Sequence, residues 1–138
     1  MAIRLNPYLN FRGSTREAMT FYQSIFGGEI AMNSFAEFGM EVPEDEKEHI
    51  MHAQLSGGAI EFMAADVPSS MPFDGGNGIS MSLFGDDDAQ LTRFYEQLAD
   101  GGQAPWPLNE APWGDKFGMC VDRFGVQWMV NISPPPGG

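Results

Sequence analysis

Two similar amphipathic helices constrain the fold of this chain more than any other feature. The first carries apolar residues at i, i+3, i+4, i+7 and i+8, at Ala18, Phe21, Tyr22, Ile25 and Phe26. The second repeats this spacing 73 residues later, at Leu91, Phe94, Tyr95, Leu98 and Ala99. Such spacing is typical of a helix that buries one face. Because each helix also ends at a glycine pair, we expect the 138-residue chain to contain two similar halves.

The two helices begin with different capping signals. Ser14 and Glu17 have the S-x-x-E spacing of a capping box, in which the serine side chain accepts a backbone N–H of the first turn. Asp86, Asp87 and Asp88 place carboxylates at the start of the second helix, where its dipole favours negative charge. Both signals predict a helix start at these positions.

Segments with period-two alternation surround the helices and predict β-strands. Their apolar positions are Leu5, Leu9 and Phe11; Met51, Ala53 and Leu55; Ile60, Phe62 and Ala64; Ile79, Met81 and Leu83; and Val126, Trp128, Val130 and Ile132. A two-residue turn at Gly57-Gly58 would place Gln54 opposite Glu61. Each half then has a strand, a helix and about three further strands. This order predicts an α+β fold with helices on one side of an antiparallel or mixed sheet.

Composition divides the chain further. Glu41 to Glu48 holds five acids around one lysine and a proline, which predicts a solvated, mobile connection. Residues 65–78 are rich in proline, glycine and serine and fall where the halves join. We expect one domain over 1–138, with a first module at 1–66, a linker at 67–78, a second module at 79–133 and a tail at 134–138.

Charge and cysteine content exclude several classes of protein. The formal charge of −12 repels phosphate backbones and anionic lipids, so we expect no nucleic-acid or membrane partner. The single cysteine, Cys120, excludes a disulfide framework and is expected to be a buried structural thiol. No segment has the apolar run of a signal peptide or a membrane span, which predicts a cytoplasmic protein.

Short motifs along nearly the whole chain carry a family resemblance. They are Pro7-Tyr8-Leu9, Phe21-Tyr22, Phe26-Gly27-Gly28-Glu29, Met51-His52-Ala53, Trp113-Gly114, Phe117-Gly118-Met119 and the run from Asp122 to Asn131, DRFGVQWMVN. With them the chain resembles the PhnB-like branch of the vicinal oxygen chelate superfamily, which includes glyoxalase I, extradiol dioxygenases and bleomycin-resistance proteins. The resemblance implies paired βαβββ modules in a curved, mainly antiparallel sheet with helices on the convex face. It also implies a ligand cleft on the concave face and a homodimer.

The resemblance implies four positions for metal ligands, one on the first and one on the last strand of each module. They fall on Asn6, Glu61, Ser80 and Met129. Only Glu61 is an ordinary ligand for a divalent ion, since the Met129 thioether is too soft for ions that prefer oxygen. We therefore expect a degenerate metal site and no cofactor, with a weakly bound divalent metal as the alternative.

His52 and Glu61 are the candidate catalytic residues. The Gly57-Gly58 turn would put both on one face of the sheet, where the pair could carry a proton or hold an ion weakly. The alternative is a histidine that only hydrogen-bonds to its neighbours in a polar sheet face.

The polar faces of the predicted strands suit an organic ligand, because they combine amides, hydroxyls, methionines and aromatic rings. The predicted cleft residues are Asn6, Tyr8, Asn10, His52, Gln54, Glu61, Met63, Ser80, Trp113, Phe117, Met119, Gln127 and Met129, with Ser82, Asn131 and Trp106 beside them. Three functions follow: a homodimer that binds an unknown small molecule, a metal-dependent lyase, isomerase or dioxygenase around Glu61 and His52, or a regulatory dimer with a vestigial cleft.

Overall fold

The structure is a computed structural model that describes residues 3, 5–76 and 78–133. The chain divides into two compact units, Met1–Gly75 and Gly76–Gly138, and each contains a helix and a four-stranded sheet in the order βαβββ. The α+β fold of paired βαβββ modules is therefore confirmed. The predicted tail at 134–138 and Asn77 of the predicted linker lie outside the described residues.

The first unit has a mixed sheet with strand order β1-β4-β3-β2. Strands β1 and β4 are parallel, and the other neighbours are antiparallel. Its elements are β1 (Tyr8–Phe11), α1 (Thr15–Phe26), β2 (Glu29–Ser34), a 3-10 turn (Glu44–Glu46), β3 (Ile50–Ser56) and β4 (Phe62–Asp66).

The second unit repeats this arrangement with strand order β5-β8-β7-β6, in which β5 and β8 are parallel. Its elements are β5 (Met81–Gly85), α2 (Asp88–Ala99), β6 (Gln103–Glu110), β7 (Lys116–Val121) and β8 (Gln127–Ile132). Strand β6 contains Pro105 and Pro107, which lack the N–H that a central strand needs. These prolines are accommodated because β6 lies at the edge of its sheet.

Each helix buries its apolar stripe against one face of its own sheet. In the first unit Tyr22 packs edge-on against Phe62, with ring centroids 5.4 Å apart. In the second unit Leu98, Trp128 and Val130 are fully buried. The predicted stripes are confirmed except at their margins, where Phe21 and Ala99 are half-buried. Burial of the stripes leaves the opposite face of each sheet without a covering helix of its own unit.

The start of α1 is not capped as predicted. Ser14 makes no side-chain capping hydrogen bond, so the capping box with Glu17 is wrong. The carboxylate of Asp66, at the end of β4, accepts the N–H groups of Gly13 and Thr15 instead. A local sequence pattern does not reveal a cap that is supplied 51 residues away. The start of α2 is capped as expected, because the Asp87 carboxylate accepts the N–H of Gln90.

The connection between β3 and β4 is longer than the two-residue turn predicted at Gly57-Gly58. Gln54 pairs with Met63, which contradicts the predicted pairing with Glu61. The loop reaches the end of α1, where the Ala59 N–H donates to the Phe26 carbonyl. Gly58 passes so close that a Cβ there would lie 2.6 Å from the Gly27 carbonyl oxygen. This docking explains why the glycine pair does not form a minimal hairpin.

Three further expectations are corrected by burial. Glu46 of the acidic segment is only 9% exposed and accepts both the N–H and the hydroxyl of Ser69, so the segment is not merely a solvated loop. Leu5 and Ile79 were expected on apolar strand faces, yet both precede their strands and are more than four-fifths exposed, at 96% and 85%.

Among the described residues, no helix is long and apolar enough to cross a membrane.

Candidate functional site

The face of the second sheet that points away from α2 gathers most of the predicted cleft residues of that unit. Gly118 and Cys120 of β7 are buried, so the alternate residues Phe117 and Met119 point to the other side. Strand pairing brings residues of four strands onto this side, which we call the Phe117 face: Ser82, Phe84, Trp106, Asn109, Phe117, Met119, Met129 and Asn131.

An exposed aromatic cluster occupies this face. Phe117 contacts Trp106 and Trp113 edge-on, with ring centroids 5.9 Å and 5.6 Å away. Trp106 and Trp113 are 52% and 58% exposed. Together with Phe84, which is 80% exposed, they present aromatic surface to solvent. Large exposed apolar patches of this kind mark binding sites more often than ordinary protein surface.

A fixed polar group lies within the same face. Asn131 pairs with Phe84 on one side and with Phe117 on the other, so its side chain lies between two aromatic residues. The Asn131 Nδ2 donates to Asp115 Oδ2 at 3.1 Å. The Ser133 hydroxyl donates to the same oxygen at 3.2 Å. The Asp115 carboxylate therefore fixes the amide.

The buried hydroxyl of Tyr95 holds this part of the sheet in place, and the glycine at position 118 leaves room for the Tyr95 ring. The Tyr95 hydroxyl lies 3.1 Å and 3.2 Å from the carbonyl oxygens of Trp106 and Met119, so α2 is tied to both β6 and β7. Burial raises the pKa of Tyr95, which keeps the hydroxyl protonated as a donor. Gly118 allows this approach, because a Cβ there would lie 2.8 Å from the Leu108 backbone and 3.0 Å from the Tyr95 ring.

The remaining predicted residues of the second unit are more dispersed. Gln127 pairs with Val121 at the start of β8, and Ser80 precedes β5 by one residue.

Cys120 is 1% exposed, which confirms the expected buried thiol. Burial and the Asp122 carboxylate raise its pKa to about 11. A thiol with this pKa is not an activated nucleophile.

The corresponding face of the first sheet is mainly polar. Tyr8 and Gln54 both pair with Met63, which brings three predicted cleft residues into one row. The Tyr8 ring lies 6.3 Å from the ring of His52, and Asn10 is the next residue of β1 on the same face. These side chains form a mainly polar surface that also carries the rings of Tyr8 and His52.

His52 and Glu61 do not form the pair predicted from the turn. The observed register, carried one residue beyond Ala53 and Ala64, sets His52 beside Ala65. Glu61 lies four residues before Ala65, which is about 13 Å along a strand. Glu61 is also exposed and precedes β4. The longer loop between β3 and β4 therefore separates these two side chains.

The inherited metal positions do not fit a divalent ion. Asn6 and Glu61 lie outside the strands of the first unit, while Ser80 and Met129 belong to the second. They supply one carboxylate, an amide, a hydroxyl and a thioether, which is a poor donor set for ions that prefer oxygen. Over residues 3, 5–76 and 78–133, no three His, Cys, Asp or Glu side chains are grouped to hold a metal.

Sequence reasoning missed two members of the Phe117 face, Phe84 and Asn109, and the Asp115 carboxylate that contacts Asn131. Phe84 continues the parity of Ser80 and Ser82, so alternation alone could have placed it there. Asp115 precedes β7, and its contact with Asn131 depends on the pairing of β7 with β8. No local pattern signals that contact.

The comparisons identify the fold and the family. A family model described as 3-demethylubiquinone-9 3-methyltransferase matches residues 4–131. The crystal structure of protein PA1353 from Pseudomonas aeruginosa is 40% identical, with a TM-score of 0.86 over 97% of this chain and 100% of that one. A putative 3-demethylubiquinone-9 3-methyltransferase, PhnB protein, from Bacillus cereus is 25% identical, with a TM-score of 0.77 over 95% and 100%.

A more distant structure shows the fold alone. The fosfomycin resistance protein FosX from Mesorhizobium loti is 10% identical, with a TM-score of 0.58 over 96% of this chain and 94% of that one. The family match covers most of the chain, and the fold agrees with the βαβββ order of both units. The chain therefore belongs to the PhnB-like family described as 3-demethylubiquinone-9 3-methyltransferase, within the vicinal oxygen chelate fold.

Proposed function

We propose that this protein binds a small organic molecule on the Phe117 face and that it does so without a chelated metal. The observation that carries the proposal is the cluster that the exposed rings of Trp106 and Trp113 form with Phe117. A ring that stacks on these side chains would cover apolar surface that otherwise contacts water. Met119 and Met129, paired across β7 and β8, add adaptable apolar walls.

The other functions have less support. A metal-dependent reaction around His52 and Glu61 requires the two side chains to meet, and the β3–β4 register separates them. Methyl transfer, which the family description names, is associated with a doubly wound parallel sheet when the methyl donor is a nucleoside. Each unit has a four-stranded sheet with only one parallel pair. We therefore favour a binding protein over either enzyme.

The three tryptophans provide a direct test, because they differ in environment. Trp106 and Trp113 are half-exposed on the proposed site, whereas Trp128 is buried and its indole N–H donates to Asp122 at 2.8 Å. In ¹H–¹⁵N spectra, titration with 2-naphthalenemethanol should shift the indole signals of Trp106 and Trp113. The Trp128 signal should stay in place and serve as the internal control.

Variants define the site in the same experiment. Trp113→Ala should weaken binding of the naphthalene probe about tenfold, since an aromatic contact and the apolar surface that it buries together contribute about 1–2 kcal/mol. Phe38→Ala removes a similarly exposed ring, 50% exposed, from the first unit and should leave binding unchanged. The proposal fails if neither exposed indole responds to millimolar probe, or if Phe38→Ala weakens binding as much as Trp113→Ala.

A further inference from the structure

The polar group in the middle of the Phe117 face indicates which aromatic molecules the site would prefer. Asn131 uses its Nδ2 to donate to Asp115 Oδ2, so the amide oxygen remains available to accept a hydrogen bond from a ligand. Within the described part of the chain, neither Asn131 Oδ1 nor Asp115 Oδ1 accepts a hydrogen bond. Both residues are half-buried. Two acceptors therefore lie beside the aromatic rings without a donor from the described residues.

The charge of Asp115 is also not balanced by the nearest lysine. Lys116 follows it in the chain, but its ammonium lies 2.6 Å from the carboxylate of Asp88. The hydrogen bond from Lys116 lowers the pKa of Asp88. No described Lys or Arg forms a salt bridge with Asp115. A ligand cation at this position would meet an anion that no described cation neutralises.

We infer that the Phe117 face selects planar aromatic molecules that carry a cationic hydrogen-bond donor, such as an ammonium or amidinium group. The rings of Phe84, Phe117 and the two tryptophans would contact the aromatic part, and Asn131 Oδ1 and Asp115 would accept from the donor. This inference rests on the proposed function, because it concerns the same face. It adds the charge and the hydrogen-bonding groups of the ligand.

The test uses three probes with one ring system: 2-naphthylmethylammonium, 2-naphthalenemethanol and 2-naphthoate. Their dissociation constants are measured from the same indole shifts at low ionic strength. The ammonium should bind about fivefold to tenfold more tightly than the alcohol, as expected for one hydrogen bond to a partly exposed charged group. The third probe, 2-naphthoate, should bind most weakly, because its carboxylate would face the carboxylate of Asp115.

Asp115→Asn removes the charge at nearly constant shape and should bring the affinities of the ammonium and the alcohol to within about twofold. Glu96→Gln removes the same charge from the exposed surface of α2 and is the matched control. Far-UV circular dichroism checks that both variants retain their helices and sheets. Asn131→Leu, which removes the amide acceptor, should also lower the preference for the ammonium.

The outcomes separate this inference from the proposed function. If all three probes shift Trp106 and Trp113 with equal affinity, the site binds aromatic molecules and the inferred selectivity is overturned. If Glu96→Gln reduces the preference as much as Asp115→Asn, the preference reflects net charge, and the inference is again overturned. If no probe shifts either indole, the proposed function itself fails.

Discussion

The buried carboxylate of Asp66 organises the first unit, and its replacement should be strongly destabilising. Its Oδ1 accepts from Gly13 N at 2.8 Å, Thr15 N at 3.1 Å and Thr15 Oγ1 at 2.8 Å. Its Oδ2 accepts from Ile50 N at 2.9 Å. Because Asp66 is only 4% exposed, water does not replace these bonds easily. One side chain thus ties the start of α1 to the end of β4 and the start of β3.

Asp66→Asn keeps the shape but loses the charge and one acceptor. If the amide oxygen takes the place of Oδ1, the amide nitrogen faces the Ile50 N–H and leaves that donor unsatisfied. An unsatisfied buried donor and the loss of charge-assisted bonds together should cost about 3 kcal/mol. Ser14→Ala should cost less than about 0.5 kcal/mol, because Ser14 makes no capping bond. If Ser14 did cap the helix in a capping box, Ser14→Ala would instead cost about 1 kcal/mol.

Urea unfolding followed by circular dichroism measures both changes. With a slope of about 2 kcal/mol per molar urea, Asp66→Asn should lower the midpoint by about 1.5 M. Glu61→Gln, which alters an exposed acid next to the same strand, is the control and should leave the midpoint unchanged. The reasoning is refuted if Ser14→Ala lowers the midpoint as much as Asp66→Asn does.

Two further predictions concern titratable groups. Burial and the Asp122 carboxylate raise the Cys120 pKa from 9.0 to about 11, so at pH 8 the thiolate fraction is about a hundredfold lower than for an unperturbed thiol. Ellman's reagent should label Cys120 rapidly only after unfolding, and rapid labelling of the native protein would contradict this. Hydrogen bonds from the Ser69 hydroxyl and N–H lower the pKa of Glu46 below 4.5. Its contribution to stability is therefore present above about pH 4.5 and lost as the pH falls through the lower folded value, so Glu46→Gln should reduce the pH dependence of unfolding in this acid range. Unchanged pH dependence would refute that role.

Features that depend on neighbouring residues in the chain were predicted well. The apolar spacing of both helices was correct because helical side chains three and four positions apart share a face. The β8 alternation was also correct, since Trp128, Val130 and Ile132 are buried and the residues between them are not. These patterns predicted a strand, a helix and about three further strands in each half, while the βαβββ modules themselves were implied by the family resemblance.

Features that depend on contacts between distant segments were not predicted. The Gly57-Gly58 pair suggested a two-residue turn, but the loop follows the end of α1 instead. That difference shifts the β3–β4 pairing by two residues, and a shift by two keeps every side chain on its face while it moves partners apart along the strand. This explains why the faces of His52 and Gln54 could be inferred while the His52–Glu61 pair could not.

The motifs that carry the family resemblance contain residues with two different physical roles. Asp122 and Trp128 belong to the run that carries the resemblance, and both are buried and bonded to each other at 2.8 Å. Asp122 also accepts the N–H groups of Phe124 and Val126, so the run builds a tight turn between β7 and β8. Such residues report the fold. Phe117, Met129 and Asn131 belong to the same motifs, but their side chains lie on the Phe117 face, where they would contact a ligand instead of shaping the turn.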